Sequence, residues 1–221
     1  MRRSALDEDA RASLISDCAR ELLRGYDAVV HSDADELVIA DARRYRDLRA
    51  YAAVAAEVET AIGLDLHHLP NEEPALDPTR AIGEQRQWVR FSAAMCKPAL
   101  VRRPVRWTPG FHGCDAERVF GGLYLLHLRY ADLGSGLLRL ARSRELKFAQ
   151  PDANPHQRVP DEAFEEMVRA IAELPKVEGE LDVLSGPLMT RMMEGWSSGD
   201  MQLNFSGDSL WRLPSIMRAG I

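Results

Sequence analysis

The stretch Leu123-Tyr124-Leu125-Leu126-His127-Leu128-Arg129-Tyr130 is the most strongly apolar run of the chain, and it limits the possible folds more than any other segment. It reads as a core strand, and a core strand needs neighbours and a covering layer. Further β-prone pieces occur at Tyr26–His31, which suits a strand buried on both faces, at Val58–Leu66, around Trp88–Phe91 and at Ala99–Val105. Between them lie stretches with helical spacing. Ala10, Leu14, Cys18 and Leu22 predict a helix over 6–24, with Ser4 and Asp7 as a capping box and Gly25 as the stop. Asp41 is a candidate cap for a second helix carrying Tyr45 and Leu48 inward. Leu137–Phe148 reads as a basic amphipathic helix, and helices are expected at Asp161–Glu173 and around Pro187–Glu194. The Pro-rich stretch His67–Thr79 reads as a loop and Asp152–Pro160 as a linker, and Trp196, Phe205 and Trp211 are aromatic anchors in the tail. The alternation predicts an α/β fold: a mixed sheet flanked by helices over 1–150, then a helical or irregular extension over 151–221.

Composition removes several function classes. The formal net charge of -6 leaves no overall basic footprint for nucleic acid. No apolar run approaches the ~20 residues of a membrane span, and the N-terminus lacks the apolar core of a signal peptide. A cytoplasmic location is the resulting expectation. Cys18, Cys96 and Cys114 are scattered, which predicts reduced thiols rather than a disulfide framework or a zinc site. Charge is unevenly spread, however. Residues 80–147 hold thirteen Lys and Arg against five acids, a cationic segment that is either a solvated face or a surface receiving an anion such as a diphosphate.

Asp33-Ala34-Asp35-Glu36 puts three carboxylates in four residues directly after a β-prone run. Crowded carboxylates repel unless a cation or water relieves them. An oxygen-rich set without adjacent His or Cys favours a hard divalent ion, Mg²⁺ or Mn²⁺. Ligands of open α/β sheets gather where strands end. His67 and His68 are adjacent, and neighbours on an extended chain point to opposite sides, which argues against one shared metal.

The segment Gly25–Asp41, GYDAVVHSDADELVIAD, resembles the metal-site segment of bacterial family-2-like glycosyltransferases of the GT-A type. Three further pieces fit that group in the same order: Phe91–Trp107 with its Lys97-Pro98 pair, Gly110–Asp115 with Gly110-Phe111-His112, and Leu123–Asp132 with His127. The resemblance implies a partial GT-A-like fold, a nucleotide-sugar donor and a divalent metal. It implies Asp35 as principal metal ligand, Asp33 on the metal and donor, and His127 or His112 completing the shell. Lys97 is expected near the donor phosphates or fixing a neighbouring carboxylate, and Glu36 lining the site. Glu36 and Asp115 are the candidates for the base that deprotonates a saccharide or lipid-linked acceptor. From its own surroundings, His127 reads equally as a core histidine. The group's N-terminal nucleotide-binding unit has no counterpart here, which implies a partner chain or a further segment completing the sheet. It also keeps a second reading open, a non-catalytic GT-A remnant acting as a binding module. A metal-dependent phosphohydrolase needs a second acidic or His motif, which the sequence does not offer.

Overall fold

A computed structural model describes residues 5, 7–147, 158–183, 190 and 206–221. The protein is a mixed α/β fold with an open mixed sheet flanked by helices, compatible with a partial GT-A-like fold. In chain order the elements are α1 (Glu8–Leu22), β1 (Val29–Val30), β2 (Glu36–Ala40), α2 (Leu48–Ala52), β3 (Val58–His67), α3 (Ile82–Gln85), β4 (Trp88–Phe91), β5 (Pro98–Val101), β6 (Val119–Tyr130), α4 (Leu133–Arg144), α5 (Asp161–Ala172), β7 (Lys176–Glu180), β8 (Leu210–Arg212) and α6 (Ser215–Arg218).

The sheet is organised around β3. On one side β3 runs parallel to β6, which continues antiparallel into β2. On the other side its first half pairs antiparallel with β5 and its second half with β4. From β4 the sheet continues to β8 and β7, so the C-terminal part contributes two strands as well as α5. The period of two sorts side chains by face. Ile62, Leu64 and Leu66 of β3 join Tyr124 and Leu126 of β6, with Leu37 and Ile39 of β2, in one core. Ala61, Leu123, Leu125, Val38 and Ala40 belong to a second core on the alternate positions. Continuing that second row by register brings Glu36 opposite His127 and His127 opposite Asp65.

Several expectations shift. The first helix runs over Glu8–Leu22, and Asp7 caps it by accepting from the backbone of Asp9 and Ala10. Tyr26–His31 was expected as a doubly buried strand. Only Val29 and Val30 are strand, paired on one side with β5, and Val30 is exposed. The long inner position falls to β3, whose ten residues are all buried. Asp41 caps no helix. Its fully buried carboxylate is gripped in two-pronged fashion by Arg43 (2.8 and 2.7 Å), and α2 begins only at Leu48 with Asp47 as its cap. Ser4, Phe148, most of the Asp152–Pro160 linker, most of the helix expected around Pro187–Glu194, Trp196 and Phe205 lie outside the described residues.

Gly63 decides where the chain can cross the sheet. A Cβ there would meet the carbonyl carbon of Met95 at 2.4 Å and the Ser92 oxygen at 2.5 Å. Without that side chain, the 3-10 turn Ala93–Met95 lies directly on β3 beside Asp65, held by Ser92 N–H donating to the Gly63 carbonyl (2.9 Å). No helix among the described residues is long and apolar enough to cross a membrane. All three cysteines are free thiols, Cys96 and Cys114 buried and Cys18 exposed.

Candidate functional site

The turn between β1 and β2 is built by its own acids. Glu36 N–H donates to the Asp33 carbonyl (3.1 Å), and Asp33 N–H donates to Glu36 Oε2 (2.9 Å). The turn is tied to β6 by Leu128 N–H donating to the Asp35 carbonyl (2.8 Å). The acids thus line a cavity of about 360 Å³. Its walls come from the turn, from Asp65 on β3, from Ser92–Lys97, from Gly110–His112, from His127 and Tyr130 on β6, and from Arg11 on α1 and Arg139 on α4.

Of the residues singled out in the sequence, Asp33, Asp35, Glu36, Lys97, His112 and His127 all line this one cavity. Lys97, buried, donates to Glu36 Oε1 (2.5 Å) and Asp33 Oδ2 (3.2 Å), so it fixes carboxylates. Both oxygens of Glu36 are thereby engaged, one by Lys97 and one by the Asp33 amide. That suits a residue that shapes the turn better than one that collects a proton. Asp115, the other candidate base, is not brought to this place. It is exposed, accepts from the Arg106 amide (2.7 Å), and lines a separate hollow of about 150 Å³ with Ser16 and Arg20.

His127 is held by a carboxylate, as a ligand histidine needs to be. Its Nδ1 lies 2.7 Å from Asp65 Oδ1. A carboxylate can only accept, so Nδ1 carries the proton and Nε2 presents its lone pair in the neutral ring. Nε2 lies 3.6 Å from Asp35 Oδ2. Burial opposes a charge on His127, yet the flanking Asp35 and Asp65 raise its pKa above the usual value. Asp35 is lowered to about 2, first through His127 and also through Arg139. For Asp33, burial opposes ionisation, but Lys97 and Arg11 outweigh it and the pKa is lowered.

His112 reaches the cavity through a strained turn. Gly110 and Phe111 both have positive φ, 77° and 62°, and Phe111 is not glycine. The fully buried Phe111 ring anchors the turn, with His31 packed against it at a tilt (4.3 Å between centroids, 42° between ring planes) and Arg11 over its face (4.7 Å). Burial first, and then Lys97, lowers the pKa of His112. His31 itself packs between Phe111 and Trp107.

Among the described residues no group of three or more His, Cys, Asp or Glu is arranged to hold a metal. Asp35 and His127 nevertheless offer one oxygen and one nitrogen on the cavity side. Two ligand atoms each ~2.1 Å from one ion stand ~3 Å apart or slightly more, close to their 3.6 Å separation. One carboxylate and one imidazole are a partial donor set, which an ion would complete with phosphate oxygens and water. Lys97 on Asp33 and Arg139 on Asp35 supply the positive charge that makes the acid cluster tolerable without an ion.

Asp65, Arg11, Arg139 and Tyr130 were not foreseen. Asp65 left a trace in the sequence, a lone carboxylate in the apolar run Ala61–Leu66. The arginines left none, since a charged residue on a surface helix is commonplace. His67 and His68 diverge as expected. His67 stacks on Tyr130 (5.2 Å), whereas His68 Nε2 lies 3.0 Å from the Glu73 carbonyl and its Nδ1 accepts from the Leu133 amide (3.2 Å). Comparison of the chain with protein-family models, with curated proteins and with solved structures finds no match.

Proposed function

We propose that this protein is a metal-dependent glycosyltransferase that moves a sugar from a nucleotide-sugar donor to a saccharide or lipid-linked acceptor. The observation that carries the reading is the Asp35–His127–Asp65 series. Three segments far apart in sequence bring an oxygen and a nitrogen to one cavity, with the histidine oriented from behind. A divalent ion, Mn²⁺ or Mg²⁺, would supply Lewis-acid stabilisation of charge developing on the leaving phosphate. Asp35 and His127 would hold it. Asp65 keeps the proton on His127 Nδ1 and fixes the ring plane. Lys97 and Glu36 hold Asp33 in the turn, where it can take up the donor's hydroxyls. His112 and the Arg side chains face the same space and suit an anionic donor. A cytoplasmic location, and a partner chain or further segment completing the donor site, belong to the same reading.

The test is thermal unfolding with Mn²⁺ and UDP or GDP. Melting should rise with ion and nucleotide together in the native chain and stay flat in Asp35→Asn. Equal shifts in both proteins would remove the metal from this site and the reading with it. A second reading, a GT-A-like module that binds without turnover, draws on one observation: Asp33, Asp35 and Glu36 each already pair with a cation. Binding of a nucleotide-sugar without release of nucleoside diphosphate would favour it.

A further inference from the structure

The two aspartates of the turn are guarded from opposite walls. Arg11 on α1 reaches Asp33, and Arg139 on α4 reaches Asp35. The Arg139 contact is the more telling, because Nη1 sits on Oδ2, the oxygen that also faces His127 Nε2 at 3.6 Å. A metal shared by Asp35 and His127 would need that same oxygen. The guanidinium therefore occupies the oxygen that the ion would need, and supplies one positive charge in place of two.

We infer that Arg139 is a displaceable stand-in for the ion, which on metal entry turns from Asp35 to the phosphate oxygens of the donor. This rests on the metal reading of Asp35 and His127. Three features favour a mobile arginine over a fixed structural one. The side chains of Arg139 and Asp35 are 32% and 33% exposed, so the pair is open enough to exchange. Arg139 projects from a helix beyond the sheet, and a guanidinium on a long stem can reach several positions from one backbone site. Arg139 lines the same cavity as Arg11, Lys97 and His112, so an entering phosphate-like anion would meet it there as an alternative partner. An arginine released from Asp35 finds that partner in a diphosphate, whose oxygens its fork of N–H groups matches in pairs.

The consequence is a split that neither a purely structural nor a purely metal-blocking arginine would give. Binding of Mn²⁺ alone and of inorganic pyrophosphate in saturating Mn²⁺ are measured by calorimetry on the full chain, for the native protein, Arg139→Gln, Arg139→Lys and Asp35→Asn. Arg139→Gln should bind Mn²⁺ about fivefold more tightly, the equivalent of one released ion pair of this exposure. It should bind pyrophosphate about tenfold more weakly or worse. Arg139→Lys keeps the charge and should fall between. Unchanged or weakened Mn²⁺ binding in Arg139→Gln, or unchanged pyrophosphate binding, overturns the inference. Undiminished Mn²⁺ binding in Asp35→Asn would instead sink the metal site itself, which keeps the two failures distinct.

Discussion

Two of the clusters that bury charge among the described residues do so differently. At the knot beneath the loop after β3, Arg86 is fully buried and every nitrogen of its guanidinium has a backbone carbonyl: Nε donates to Ala131 (2.6 Å), Nη1 to Gln85 (2.9 Å) and Nη2 to Pro74 (2.8 Å). Glu73 and Asp132 stand 3.6 Å away, each also accepting from a loop amide, Leu69 and Leu76. The Arg86 side chain at its centre is closed off from solvent. At the acid turn the carboxylates meet side-chain cations across a cavity, and Asp35 and His127 keep atoms directed into it. Buried charge by itself marks only a place where the chain had to be held. What distinguishes a site is that lone pairs stay accessible, held from behind by partners such as Asp65.

If the contrast holds, the knot should govern stability and the turn should govern binding. The largest effect is expected from Arg86→Met, which strands two carboxylates and three carbonyls. It should lower unfolding free energy by about 3–5 kcal/mol in urea titration, with Mn²⁺ affinity of the folded fraction unchanged. A loss below ~1 kcal/mol would put the knot on a par with surface pairs.

Next comes acid sensitivity, where two histidines pull in opposite directions. His67 is fully buried, neither of its ring nitrogens has a hydrogen-bond partner among the described residues, and burial lowers its pKa to about 4. Below the ordinary value of 6.5 the unfolded chain takes up a proton that the folded chain refuses, so stability should fall as pH drops from 6.5 toward 4. The full loss is about 3 kcal/mol. His127 is raised, so its contribution is complete below 6.5 and fades as pH rises through its folded pKa. Subtracting the unfolding free energy of His67→Phe from that of the native chain at each pH isolates the first effect. A pH-independent difference would mean that His67 is solvated.

Asp65→Asn should cost about 10–100-fold in Mn²⁺ affinity without touching the ion, because an amide can present either donor or acceptor to Nδ1 and no longer fixes the proton there. Affinity within twofold of native would reduce Asp65 to packing. The smallest stability change belongs to Asp35→Asn, within ~1 kcal/mol of native, since its pair with Arg139 is part-exposed. The same variant should abolish the Mn²⁺-dependent melting shift. A large destabilisation there would make the turn a second structural knot.

Reading the chain from its residues recovers the interior better than the borders. Trp88–Phe91 and the alternating stretch Val58–Leu66 are strands as expected, and the strongly apolar Leu123–Tyr130 lies in the other long inner strand, because such a run has few places to go. Val29 and Val30 show the limit: a β-prone segment says nothing about whether neighbours cover both of its sides. Asp41 looked like a cap by type, but Arg43 two residues on offered it a stronger partner than a helix amide. Of the site, the acid turn was legible from its own residues, whereas Lys97, His112 and His127 were pointed to by the resemblance of their segments to a known family.

The sequence alone determined which segments must be inside and where carboxylates crowd, since apolar burial and like-charge repulsion act on the residues themselves whatever surrounds them. Only the tertiary structure decided that Asp65 stands behind His127 and that Arg139 covers Asp35. Those pairings depend on strand register and on the placement of α4, and a shift of one residue in β3 would turn Asp65 to the other face.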